Sequence, residues 1–206
     1  MKKASILFEF ILIILLVSII YSIFIPKNNI NKFHELKNRV TLYLKLLRYQ
    51  ALLDHKYDED ISLWNKKRWT MKFFRCNQNI GGIYFVIYSD NNMTGHPNQI
   101  ESLKDPLTNK YIYSTNSCEE NMSNSKYALL TKNYNIKNID MSCNNTDSLG
   151  QLSFGNDGRV YSKLSNFSNE KYSYEISDSC NIRFISNDNE IFEIKISPNT
   201  GQIQSN

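Results

Sequence analysis

Met1-Lys2-Lys3-Ala4-Ser5-Ile6-Leu7-Phe8-Glu9-Phe10 opens the chain, and from Phe10 to Ile25 the sequence is apolar except at Ser18, Tyr21 and Ser22. The order is basic, then small, then hydrophobic, with a single carboxylate, Glu9, inside the hydrophobic part. Ser5–Ile25 is long enough to span a hydrocarbon core roughly 30 Å thick. A carboxylate at that depth costs about 2.5–3.5 kcal/mol on insertion scales, so it needs a partner or a role. Three readings compete. A plain membrane anchor leaves Glu9 unexplained. A conventional secretory signal would use Lys2 and Lys3 as its basic region, but the apolar segment is long for one, and Tyr21–Pro26 offers no A-x-A-like cleavage site. The third reading is a signal cut before the hydrophobic segment instead of after it.

In that third reading the N-terminus resembles type IV prepilins and the pseudopilins of type II secretion and competence systems. Ala4 matches the residue before their cut, Ser5 the new N-terminus that they carry N-methylated, and Glu9 the carboxylate at their fifth mature position. Ala4 stands where Gly is usual and Ser5 where Phe is usual. The resemblance implies processing by a prepilin peptidase, an inner-membrane assembly platform and other pseudopilins as partners, and lipid around the helix before assembly. It places the helix in the inner membrane and the rest of the chain in the periplasm, then in a periplasmic pseudopilus. It also implies a role for Glu9: pairing with the charged terminal amine of a neighbouring subunit. Attraction between unit charges grows as the dielectric falls, and leaving either charge buried alone costs several kcal/mol. Such a pair sets register between subunits.

Behind the first segment the sequence reads as continuing helix, over about 26–56. Phe33, Leu36, Val40, Leu44, Leu47 and Ala51 recur at three- and four-residue steps and make one apolar face. Pro26 removes a helical hydrogen bond and marks either a kink within the rod or a boundary between anchor and globular part. From about residue 57 the pattern turns to strands. Trp69, Met71 and Phe73 alternate with Thr70, Lys72 and Phe74, and Ile83–Tyr88 is a run of strand formers across a loop at Asn77–Gly82. Residues from about 90 to 146 are poor in apolar side chains and read as an insertion, ordered only near Lys110–Ser114 and Lys126–Thr131. Strands resume at Leu152–Phe154 and Arg159–Tyr161 around the Gly155–Gly158 turn, then at Cys180–Ser186, Ile191–Ser197 and Gln202–Gln204. The expected class is α+β: a long N-terminal helix, membrane-spanning in its first half, packed against an antiparallel β-sheet domain, a pilin-like fold.

The ends of the globular part extend the resemblance. The segments LSFGNDGRV (152–160) and NEIFEIKISPNTGQI (189–203) look like the closing part of the GspH/FimT group, with its Phe–x–x–x–Gly hairpin and final Thr-Gly turn. LKLLRYQALL (44–53) resembles that group's segment after the membrane helix.

Cys76, Cys118, Cys143 and Cys180 fall in the part that this resemblance places in the periplasm, where an even count favours disulfides. Cys143 and Cys180 both precede or start C-terminal elements and read as one pair, leaving Cys76 with Cys118; buried free thiols are the alternative. Asp90, Asn92, Thr94, Asn98 and Glu101 fit the spacing of a calcium loop, with Gly95 at the sixth position. Turn-forming Asx residues produce the same pattern without metal. Asn92-Met-Thr94 and Asn121-Met-Ser123 are glycosylation sequons of a kind frequent by chance in an Asn- and Ser-rich chain. Lys66-Lys67-Arg68 beside Trp64 and Trp69 reads as either a basic–aromatic nucleic-acid patch or, more often for such a run, a solvated strand edge with its Trp in the core. His34, His55 and His96 have no metal-ligand spacing, and no nucleophile, P-loop or dinucleotide fingerprint is present, so the expectation is no enzyme. The net charge of +4 does not discriminate. Two functions remain: a minor pseudopilin, or a minor pilin that binds DNA during transformation. FimT-like DNA binders end in a basic tail, whereas this chain ends Gln202-Ile203-Gln204-Ser205-Asn206.

Overall fold

The computed structural model describes residues 2–24 and 31–205, with side chains from Phe8 to Tyr21 in the first stretch. They form two compact units, one within Met1–Asn31 and one over Lys32–Asn206. Pro26, where a break in the helix was expected, lies outside the described residues.

The first unit is α1, Lys2–Phe24. Among the described residues no helix is long and apolar enough to cross a membrane. The described apolar side chains of α1 cover Phe8–Tyr21, about 21 Å of helix at about 1.5 Å per residue.

The second unit starts with α2, Lys32–Leu53. Leu36, Val40, Tyr43, Leu44, Leu47 and Ala51 are its buried residues, which is the expected face with Tyr43 added and Phe33 at its edge. The helix ends where the apolar period stops. Antiparallel strands follow, but they make two sheets instead of one. The first has the order β2-β1-β4-β5, from β1 Trp69–Arg75, β2 Ile83–Tyr88, β4 Gln151–Phe154 and β5 Val160–Tyr161. The second has the order β3-β6-β7-β8, from β3 Ile136–Met141, β6 Cys180–Ser186, β7 Ile191–Ile196 and β8 Ile203–Ser205. Helix α2 lies against β1 and β4 of one sheet and β8 of the other, so its apolar face serves both. Met71, Phe73, Phe85, Leu152, Phe184 and Ile194 meet it in one continuous core. The α+β class with antiparallel strands therefore holds, and each expected hairpin pairs as read.

The stretch expected as a largely disordered insertion is organised. Its last part is β3, an edge strand of the second sheet that pairs antiparallel with β6. In its middle Asp105 is fully buried, and its carboxylate accepts hydrogen bonds from Leu107 N (3.0 Å), Thr108 Oγ1 (2.9 Å) and Ser125 Oγ (3.1 Å). Ile112, also fully buried, anchors the same segment in the core. A few well-placed side chains and a satisfied carboxylate order a polar segment that composition alone reads as loose. Between the middle and β3, α3 spans Leu130–Tyr134 and buries Leu130 and Tyr134.

Both disulfides form as Cys76–Cys118 and Cys143–Cys180, with Cα separations of 5.8 and 5.3 Å. The first ties the segment after β1 to the middle segment, and the second ties the end of β3 to the start of β6.

Candidate assembly surface

A helix that is apolar all round needs a non-aqueous setting or a partner. Every large apolar side chain from Phe8 to Tyr21 of α1 is at least 48% exposed, on all faces of the helix. Ser18 does not interrupt this surface, because its hydroxyl donates to Leu15 O at 2.8 Å within the same helix. Ala4 and Ser5 lie in the first turns of α1, and their side chains are outside the described set. Glu9 is exposed on α1 and has no ion pair among the described residues.

Helix α2 carries a second apolar stripe that sequence reading missed. Leu42, Leu46, Tyr49 and Leu53 follow each other at steps of four, three and four, which places them on one face. Leu42 is 41% exposed, Tyr49 56% and Leu53 64%, and Leu46 is half-buried. Consecutive residues of a helix are turned by about 100°, so this stripe lies well away from the Leu36–Ala51 face. The signal is present in the sequence as a second run with the same three- and four-residue spacing.

The segments that carry the GspH/FimT-like resemblance meet at one place. Arg48 of α2 donates through Nε to Thr200 O at 2.7 Å, and Ala51 is buried in the core that holds Phe154. At Gly201, φ is +60°, and an added Cβ would lie 3.0 Å from the Phe154 ring and 3.1 Å from Gly158 O. Backbone conformation and space both call for glycine there. Gly158 in turn sits against the carbonyls of Asn199 and Thr200.

Where α2 ends, Asp54 Oδ2 accepts from Trp69 Nε1 (2.8 Å) and from Lys56 Nζ (2.7 Å). Burial acts to raise its pKa, but the Lys56 ammonium and the Trp69 indole N–H outweigh it and hold the carboxyl below its ordinary value.

The basic–aromatic run is folded inward. Trp64 and Trp69 are 5% and 9% exposed and thus unavailable for stacking on bases. Arg68 is buried too: its guanidinium lies 3.7 Å from the Tyr161 ring centroid, and Nη1 donates to Lys171 O at 2.8 Å. The run acts as a strut between the 3-10 turn Trp64–Lys67 and the later part of the chain.

The loop with calcium-like spacing is closed by its own hydrogen bonds. Asp90 accepts from Thr94 N (3.1 Å) and Gly95 N (2.8 Å), and Asn92 Oδ1 accepts from Thr94 N (3.0 Å). Glu101 Oε1 accepts from Asn92 N (2.9 Å), while its Oε2 takes the Asn98 side-chain amide N–H. That amide aims a donor at the carboxylate that calcium coordination would use, so holding a cation requires Asn98 to turn. No group of three or more His, Cys, Asp or Glu that would hold a metal occurs among the described residues. His34 is on α2, His55 follows its end and His96 stands in the loop after β2, with no grouping between them. Both sequon asparagines are exposed. No protein-family profile, no curated protein and no solved structure matches this chain.

Proposed function

We propose that the chain is a minor pseudopilin: a structural subunit cut between Ala4 and Ser5, held in the inner membrane by Ser5–Ile25, and built into a short periplasmic fibre through its helices. The observation that carries this reading is the all-round apolar surface of α1 over Phe8–Tyr21, where among the described side chains the exposed carboxylate of Glu9 is the one charge. Hydrocarbon satisfies that surface before assembly, and neighbouring helices satisfy it afterwards. Glu9 then meets the amine that cleavage creates on Ser5 of an adjoining subunit. The second stripe of α2, Leu42 to Leu53, continues the supply of apolar helical surface into the globular unit. The meeting of Arg48, Phe154, Gly158 and Gly201 gives the GspH/FimT-like segments a common structural purpose, which is to close the last turn onto α2.

The N-terminus tests this. In a host with a prepilin peptidase, the intact mass of the membrane-extracted chain should fall by the mass of Met1–Ala4, give or take one methyl group. Ala4→Phe should keep the full mass. Retention of Met1–Ala4 in the native chain, or a cut after the apolar segment, contradicts the proposal.

A further inference from the structure

The outer face of the first sheet, opposite α2, forms the floor of a cleft of about 600 Å³. Lys72, Tyr88 and Gln151 supply that floor from three strands; Lys72 pairs in register with Gln151 across β1 and β4. One wall is the loop at Thr94–His96, another is Thr146–Ser148, and the third is Lys163–Asn166, with Lys66 at the rim.

Three lysines thus line the cleft from three separate parts of the chain, and none of their ammonium groups forms an ion pair among the described residues. Their contacts are with neutral groups. Lys66 Nζ reaches Met93 O at 3.4 Å, Lys72 Nζ lies 5.1 Å from the Phe74 ring centroid and Lys163 Nζ 5.1 Å from that of Tyr174. Lys72 is the telling member: it is half-buried on a sheet face, and burial pushes its pKa down. A cation held there without a counter-charge is a cost the fold does not need. Two carboxylates share the cleft. Asp90 spends both oxygens on its own loop's N–H groups, and Asp147 is exposed.

Most of the remaining lining is polar: beside Leu164 stand His96, the hydroxyls of Thr94, Thr146 and Ser148, which also bond within their own loops, and the amides of Gln151 and Asn166. The volume lies within the range of small-molecule sites, about 300–1,000 Å³, and is far larger than a lone phosphate fills. We infer that this cleft binds an acidic saccharide: the lysines take its carboxylate or phosphate, and the hydroxyl and amide rim takes the sugar hydroxyls. Lysine suits this task as a mobile point charge that accepts either anion without the fixed geometry of a guanidinium. The inference is independent of the assembly role, since the cleft lies on the sheet face away from α2.

Calorimetric titration of the full chain in non-ionic detergent micelles tests it, with galacturonate and glucose 6-phosphate as probes and glucose and inorganic phosphate as controls. At least one acidic sugar should bind saturably, at least tenfold more tightly than either control. Which of the two binds separates a uronate source from a sugar-phosphate source. Lys72→Met should weaken that binding about tenfold or more, as expected for loss of a charged hydrogen bond, without lowering the thermal unfolding midpoint. Lys163→Gln should weaken it as well. Absence of saturable binding by both acidic sugars, equal binding of glucose or phosphate, or unchanged binding in both variants overturns the inference.

Discussion

Asp54 closes α2 with two donors on one oxygen, and its depressed pKa makes a signed prediction. A carboxyl whose folded pKa lies below its unfolded value, about 3.9, contributes stability that is fully present above that value and is lost as pH falls through the folded one. Its side chain is 34% exposed, so water screens the pair, and the contribution is about 0.5–1 kcal/mol. Asp54→Asn should therefore lower stability by about that amount at pH 7, and the gap should close in acid, once pH has fallen through the depressed folded value. Urea unfolding followed by the fluorescence of the two tryptophans, both in the second unit, measures it. A gap that is the same at neutral and acid pH contradicts the assignment. Residue-level reading of the sequence did well where a residue acts through its own chemistry, as with the Gly201 turn or the four cysteines. It placed Trp64 and Trp69 in the core, as found, but did poorly for Arg68, because no local pattern tells a buried strut from a solvated edge. Burial at those positions is decided by segments a hundred residues away: Asn65 donates to Ser165 O and Arg68 to Lys171 O.

Among elements, the hairpins were legible because alternation and turn residues are local signals. Strand β3 was not. Its buried residues are Ile136, Ile139 and Met141, and the register with β6 shifts between Ile136 and Asn138, so the apolar spacing runs three then two and breaks the period of a strand. The division into two sheets was also hidden, since sequence shows which strands exist and not which edges meet. Cys143–Cys180 spans 37 residues of sequence and fixes β3 to β6 at one end. Replacing both cysteines by serine should cost about 2–4 kcal/mol of unfolding free energy, read from denaturant midpoints against the intact chain. A change below about 0.5 kcal/mol would mean that the strand pairing needs no such tie. The second stripe of α2 makes a different kind of prediction. Leu46→Lys with Leu53→Lys leaves the core face untouched, so thermal unfolding should shift little. Incorporation into fibres should fall sharply, as judged by sedimentation of sheared fractions. Normal incorporation would remove the stripe from the contact surface.

For the molecule as a whole, the two units divide the work. The second is an α+β body with a main core under α2 and two sheets, a smaller apolar cluster around Tyr84, Val86 and Leu129, two disulfides and a cleft on its outer face. The first is a helix that offers apolar side chains in every direction and one carboxylate. Such a helix has no use in a free monomer in water; in the proposed pseudopilus, association of helices covers it and displays the β-rich body. Glu9 is where this account is most exposed to test. In the proposed pseudopilus its charge would be tolerated at depth because the Ser5 amine of a neighbour meets it. The decisive measurement is the fraction of Glu9→Ala chains recovered in sheared pseudopilus fractions, relative to the native chain at equal membrane levels and equal cleavage at Ala4. The account predicts at least a tenfold drop, with Glu9→Asp retaining part of the native level. Undiminished recovery of Glu9→Ala would contradict it.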